Sequence, residues 1–211
     1  MATLASLPRP FVQPAGEVGD AGLAATLARA FLTDPVTSWL IPDDVARLEA
    51  MARFFLTDLQ HHRQRGEVWV ATDPRNGGSV PLGGALWAAP GRWKVPTADV
   101  LQAAPALLHC FGRSIPKALR FFTHVESHHP SEPHWYLSVL GTDPLVQGRG
   151  VGSALVEPLL TRCDKQGTPA YLESSREQNV PFYRRFGFEV LDELRIGGGA
   201  PPLWRMWRKP R

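Results

Sequence analysis

Residues 147 to 155 read QGRGVGSAL, three glycines in five positions running into an apolar stretch, and this constrains the chain more than any other feature. It follows a β-type run, HWYLSVLGTDP (134–144). It leads into a helical pattern, QGRGVGSALVEPLLTRCDKQG, in which Leu155, Val156, Leu159, Leu160 and Cys163 share one face. Gly167 is placed to cap that helix, with Pro169 just beyond, and PAYLESS (169–175) reads as the next strand. Strand, glycine-rich loop, helix, strand makes an anion site: bare loop N–H groups and a helix N-terminus converge on one point and suit a phosphate. The glycines predict that the backbone at 148, 150 and 152 approaches a ligand too closely for side chains. Pro158, inside the helix, predicts a kink.

Three kinds of phosphate loop compete. A Walker loop ends in Gly-Lys-Ser/Thr, whereas this one ends Gly152-Ser153-Ala154 without a lysine. A dinucleotide fingerprint matches at Gly148 and Gly150, and Glu173 ends the next strand. Its third glycine is replaced by Ser153, however, and too little chain remains for the second half of such a fold. The third pattern is Gln-x-x-Gly-x-Gly, Gln147 to Gly152, a few residues after a strand ending Asp-Pro. With YLESSREQNVPFYRRFGFEV downstream, it resembles the acetyl-CoA pyrophosphate loop, fifth strand and tyrosine-bearing helix of the GNAT acetyltransferase superfamily. The resemblance is specific over 134–209. Within the superfamily WYLSVLGTDP, LESS, NVPFY and WRMWRKP look closest to the puromycin N-acetyltransferase group.

The resemblance implies an α/β (α+β) fold: a mixed, mostly antiparallel sheet flanked by helices and splayed at its fourth and fifth strands, in a single domain over 1–211. It implies acetyl-CoA as co-substrate and direct N-acetylation of a small-molecule amine. The pyrophosphate is placed on N–H groups from Gly148 through Arg149, Gly150, Val151 and Gly152 to Ser153, within the loop that opens at Gln147, and Arg149 adds a charge. The pantetheine arm pairs with Leu140, Gly141 and Thr142, one of whose N–H groups polarises the thioester. Tyr183 lies near the cofactor sulfur as proton donor, with packing beside Phe182 and Phe186 as its other reading. Asn179 caps its helix and contacts the pantetheine. Glu173 alternates with Tyr171 and Ser175 on one strand face. A carboxylate there serves as general base or ammonium binder, or else sits in an ion pair; His134 is the competing base. Acetylation of a protein N-terminus or lysine, and a silent acyl-CoA-binding module, are the alternatives.

Composition narrows the rest. A net charge of +3 over 211 residues falls short of a nucleic-acid footprint. Cys110 and Cys163 stand alone, without a disulfide framework or a paired zinc pattern, so a reducing cytoplasm is the default. Nothing at the N-terminus reads as a secretory signal or anchor, and no apolar run reaches the ~20 residues of a membrane span. Monomer and homodimer are both open. His124, His128 and His129 lack an acid or cysteine partner in register, so a solvated face is expected and a metal is not.

Upstream, PFVQP (10–14) reads as a first strand and 20–31 as a helix capped by Asp20. Residues 32–44 read as a loop. A second helix carries the stripe Leu48, Met51, Phe55 and Leu59. GEVWVATD (66–73) and VPLGGALWAAP (80–90) make a hairpin about the turn PRNGG. Residues 97–129 look helical but interrupted at Pro105 and Pro116. NVPFYRRFGF is a short helix stopped by Gly187, and EVLDEL and PLWRMWRKP are closing strands. Trp204 and Trp207 read as packing or a pocket wall, and Arg208, Lys209 and Arg211 as a solubilising tail.

Overall fold

A computed structural model describes residues 9–16, 19–76 and 80–211. In chain order the elements are β1 (Phe11–Pro14), α1 (Asp20–Ala30), α2 (Pro35–Leu40), α3 (Asp44–Arg65), β2 (Gly66–Thr72), β3 (Pro81–Ala88), α4 (Thr97–Phe111) and α5 (Ile115–Ser127). They continue with β4 (Trp135–Thr142), α6 (Val151–Gln166), β5 (Ala170–Ser174), α7 (Val180–Arg185), β6 (Glu189–Leu194) and β7 (Leu203–Arg208). The seven strands form one sheet in the order β1-β2-β3-β4-β5-β7-β6. Among the described residues only β4 and β5 pair in parallel. This is the GNAT-like mixed sheet expected from the sequence.

The splay has a local cause. Leu86 of β3 pairs with Val139 and Trp87 with Leu137, so Ser138 is an extra, bulged residue. A bulge bends its strand and shifts the faces of the residues beyond it. Leu137 accordingly packs into the core under α6 and α7, while Val139, two residues on, packs into the opposite core under α1 and α3. β5 pairs with β4 only from Trp135↔Ala170 to Leu137↔Leu172. Beyond that rung the strands diverge, and β4 continues alone against β3 to Gly83↔Thr142. Gly141 lets α1 close over this end of β4: a Cβ there would stand 2.7 Å from Leu27 Cδ2.

Several expectations shift. Residues 35–40 are helical because Asp34 accepts from Val36 N and Thr37 N at 2.9 and 3.1 Å, and Pro35 suits the first turn. Gly19 is the N-cap of α1, and Asp20 instead pairs with Arg63. In α3, Met51, Phe55 and Leu59 are buried, but Leu48 is 38% exposed and the buried stripe continues through His62. α4 runs through Pro105, and the interruption falls at Gly112, whose φ is +45°. Pro116 sits in the first turn of α5. α6 starts at Val151, not Gln147, and is continuous through Pro158. Gly167 caps it, with Thr168 N donating to Cys163 O at 2.9 Å. The turn expected over PRNGG is described only to Asn76. Arg208 is no tail residue: it is 4% exposed and donates to Asp164 Oδ2 and to the Phe186 carbonyl.

Candidate active site

The fork between β4 and β5 opens into a cleft of about 630 Å³. On one side β4 presents Ser138, Leu140, Gly141 and Thr142. The opposite wall is Glu173, Ser174 and Ser175 at the end of β5, with Asn179, Phe182, Tyr183 and Arg185 from the next turn and α7. Past Leu137 the backbone groups of β4 that face away from β3 have no strand to pair with, and they front the cleft.

The glycine loop forms the floor. Asp143 ends β4 and turns the chain, accepting from Leu145 N at 3.0 Å, while Arg29 of α1 donates to its other oxygen at 2.8 Å. Gln147 donates to Thr142 O at 3.3 Å and ties the loop back to the strand. Gly148 and Gly150 have φ of +74° and +80°, which L-residues rarely adopt, and no protein atom lies where their Cβ would be. Within the protein, these two glycines serve backbone conformation and not close approach. Gly152 has ordinary φ, and its Cβ would meet Phe182 at an ordinary 3.5 Å. Gly150 caps α6 with no side-chain partner, and the first turn carries no acid. The N–H groups of Val151, Gly152 and Ser153 therefore form an uncapped helix N-terminus at the cleft. Gln147, Gly148, Gly150, Val151, Gly152 and Ser153 all line it, whereas Arg149 is exposed and outside the cleft wall. Arg176 and Arg185, unremarked in the sequence, supply cationic lining.

Tyr183 is buried at 9% exposure, and that burial holds its phenol well above the ordinary value, so it carries its proton at neutral pH. Asn179 borders the cleft but caps nothing. A tight turn, Glu177–Asn179, precedes α7, and no side-chain oxygen bonds its first N–H groups.

Glu173 is the first residue of β5 beyond the last β4 rung. Its side chain is 6% exposed, and its Oε1 is buried with no hydrogen-bond partner among the described residues. His129 approaches that oxygen at 3.6 Å and is itself 2% exposed, stacked on Trp93 with ring centroids 3.6 Å apart. His129 is thus not the solvated residue expected. Tyr171 lies on the same strand face. Burial, and then the Glu173 carboxylate, push its phenol well above the ordinary value. His134 is 1% exposed with its pKa lowered by burial to about 4. Its Nδ1 lies 2.5 Å from Glu132 O and its Nε2 3.0 Å from His129, which occupies both nitrogens, and it stays outside the cleft wall. Trp207 packs on His134 and Tyr171, and neither it nor Trp204 lines the cleft. Among the described residues no cluster of His, Cys, Asp or Glu is arranged to hold a metal, and no helix is long and apolar enough to cross a membrane.

Sequence reading missed a latch. Ser175 donates to Asp34 Oδ2, and Arg176 donates to Thr33 O and, at 2.9 Å, to Thr33 Oγ1. These bonds join the end of β5 to the α1–α2 connection across the cleft. The Asp34-Pro35 dipeptide was the available signal for the cap, but nothing local marks its second partner 141 residues away.

A splayed parallel pair with an uncapped helix N-terminus at its open end defines an acyl-CoA-dependent transferase. Residues 85–188 match the model of the Acetyltransferase (GNAT) family. An uncharacterized N-acetyltransferase of Schizosaccharomyces pombe, C550.08, is 32% identical over 89% of this chain and 78% of that protein. Among solved structures, "histone acetyltransferase HPA2 and related acetyltransferase" from Corynebacterium glutamicum superposes with a TM-score of 0.74 at 27% identity, over 96% of this chain and 97% of that one. Arylalkylamine N-acetyltransferase 2 of Aedes aegypti shares the fold, with a TM-score of 0.62 at 11% identity over 97% and 100% of the two chains. The chain belongs to the GNAT acetyltransferase family: it is an N-acetyltransferase whose co-substrate is acetyl-CoA.

Proposed function

We propose that the chain, as one domain over 1–211 acting in the cytoplasm, transfers the acetyl group of acetyl-CoA directly to the primary amine of a compact, partly apolar small molecule in a ternary complex. The observation that carries this is Glu173. A buried carboxylate oxygen with no hydrogen-bond partner among the described residues stands at the fork, with the His129 imidazole 3.6 Å away and the Tyr171 ring beside it. Leaving such an oxygen unmet is costly, and an ammonium group repays it. The latch from Asp34 to Ser175 narrows the approach, which favours a small acceptor over a polypeptide. The likeness of LESS and NVPFY to the puromycin N-acetyltransferase group supports the same acceptor class.

In this reading the pantetheine extends along Leu140, Gly141 and Thr142. The pyrophosphate rests on the loop from Gln147 to Ser153, and Asn179 contacts the pantetheine. Glu173 takes the first proton of the ammonium, and Tyr183 protonates the departing thiolate. Cys110 and Cys163 are buried and outside the cleft wall, which supports direct transfer over an acetyl-cysteine intermediate. A protein amine as acceptor is the second reading, favoured by the naming of the C. glutamicum structure as a histone acetyltransferase.

A thiol-release screen of aminonucleosides, aminoglycosides, polyamines and amino acids with acetyl-CoA tests the proposal. Thiol release that scales with one of these amines is expected. Turnover with peptides alone would move the acceptor to protein. CoA binding without any turnover would make the chain a silent acyl-CoA-binding module.

A further inference from the structure

Ser138 is the bulged residue of β4 and stands opposite Glu173, since both are first beyond the last β4–β5 rung, Leu137↔Leu172. Ser138 lines the cleft, and its hydroxyl has two partners, the Leu86 carbonyl at 3.2 Å and the imidazole of His62. Behind it, His62 Nε2 lies 2.7 Å from Ser138 Oγ, and His62 Nδ1 lies 2.9 Å from the Asp58 carbonyl and 3.1 Å from Asp58 Oδ1. Asp58 and His62 are i and i+4 on α3, so the helix itself fixes the carboxylate under the imidazole. His62 is 5% exposed, while the Asp58 side chain reaches partial exposure at 18%. Hydroxyl, imidazole and carboxylate therefore form a line from the bulge at the cleft toward the surface.

We infer that Ser138, His62 and Asp58 form a proton relay that removes the second proton from the attacking amine and delivers it to solvent. The inference rests on the acyl-transfer reading of the cleft. An ammonium substrate must lose two protons in becoming an amide, and Glu173 takes one. As the N–C bond forms and the C–S bond breaks, the nitrogen's second proton passes to Ser138 Oγ while the Ser138 hydroxyl proton passes to His62 Nε2. The imidazolium is held by Asp58, and the thiolate takes its proton from Tyr183. Over the full turnover two protons leave the nitrogen and one goes to the thiolate, Tyr183 being re-protonated as Glu173 and His62 give theirs up, so one proton is released net.

Electrostatics suit the acceptor. Burial disfavours the His62 imidazolium, but the Asp58 carboxylate, through its charge and its hydrogen bonds, outweighs that and raises the pKa above the ordinary histidine value. The other ionisable groups around this stretch of α3 are His61 and Arg65 on the same helix, Asp99 from α4, which pairs with Arg65, and Tyr136 from β4. Ser138 is catalytic in this scheme, and His62 and Asp58 act through it.

Two measurements test the relay. Nitrogen NMR of the ligand-free protein at alkaline pH reads the His62 tautomer. The relay requires the proton on Nδ1, facing Asp58, with Nε2 open to accept. A proton on Nε2 overturns the relay whether or not any amine is turned over. Then kcat is followed against pH with acetyl-CoA and the amine identified by thiol release, in wild type, Ser138→Ala and His62→Gln. Both variants should lose about 10²-fold in kcat with CoA affinity unchanged by calorimetry, and the acid limb set by His62 should move to lower pH. Wild-type kcat and an unmoved limb in folded Ser138→Ala overturn the relay while leaving the acetyltransferase reading intact. A stable acetyl adduct on Ser138 also overturns it, since the hydroxyl would then be a nucleophile.

Discussion

Tyr183 is where packing and chemistry make opposite forecasts. Its ring packs at 5.0 Å from Phe182 and 6.1 Å from Phe188, so the side chain has a place in the core whatever the hydroxyl does. Burial keeps the phenol protonated at any working pH, which fits a donor and excludes a base. Tyr183→Phe keeps the ring. If the hydroxyl serves the thiolate, kcat drops by about 10²- to 10⁴-fold with near-normal CoA affinity and Tm. A rate within a few-fold of wild type, measured where chemistry limits, removes the donor role. His134 makes a second residue-scale forecast. Its folded pKa of about 4 lies below the usual 6.5, so between those values the unfolded chain binds a proton that the fold refuses. Stability should therefore be full near pH 7 and fall on acidification toward pH 4, by about 3 kcal/mol if the whole shift is realised. His134→Gln should lower stability at neutral pH but flatten that slope, read from urea midpoints between pH 4 and 7. An unchanged slope sinks the assignment. Glu173 and Tyr183 were legible in the sequence because they fall within one contiguous stretch. His129 and Ser138 were not, because their partners come from α3, β5 and the Trp93 loop, which only the fold brings together.

The elements were read more securely than their joints. Periodicity found α1, α3, α6 and the described strands, but proline misled at two places. Pro105 is carried within α4, because packing of a long amphipathic helix offsets the lost bond. Pro35 begins a helix instead of marking a loop. The largest misreading at this scale is β7. Its end is a basic cluster, which looks like a solvated tail, yet Arg208 is buried across α6 and α7 and locks both to the sheet. Asp164 answers from α6, its carboxyl held below the usual range by the Arg208 hydrogen bond, and it also accepts from Arg211 N at 2.8 Å. Arg208→Met removes the donor to the Phe186 carbonyl and strands Asp164. Because Asp164 is 28% exposed, the loss should lie below that of a fully buried pair, at about 2 to 3 kcal/mol. For a chain of this size that is a Tm drop of about 5 to 10 °C. A Tm within about 1 °C of wild type would show that the clamp carries no weight.

At the scale of the molecule, the sheet is nearly two sheets. Four strands, β1 to β4, and three, β5 to β7, meet only at three pairs. What joins them is the core under α6, which takes Ala85 and Trp87 from β3, Leu137 from β4, Leu172 from β5 and Met206 from β7 into one cluster. Such sharing makes independent unfolding of either part expensive, so calorimetry should show one cooperative transition. If CoA binds in the fork as proposed, against β4 and α7 together, it should raise that transition as a unit, by about 2.7 kcal/mol at a hundredfold excess over Kd. Gly152→Val separates loop from fold. The nearest atoms its Cβ would meet are Phe182 at 3.5 and 3.7 Å and Thr142 at 3.8 Å, all ordinary contacts, and its φ is ordinary, so the ligand-free Tm should hold within about 3 °C. Gly150→Val is the poorer probe, since φ of +80° strains any L-residue there. In the position-152 variant the side chain projects into the ground assigned to the pyrophosphate, and the CoA-dependent rise should vanish. A wild-type rise in Gly152→Val would place the pyrophosphate elsewhere, and two transitions of which CoA moves only one would divide the chain at the fork.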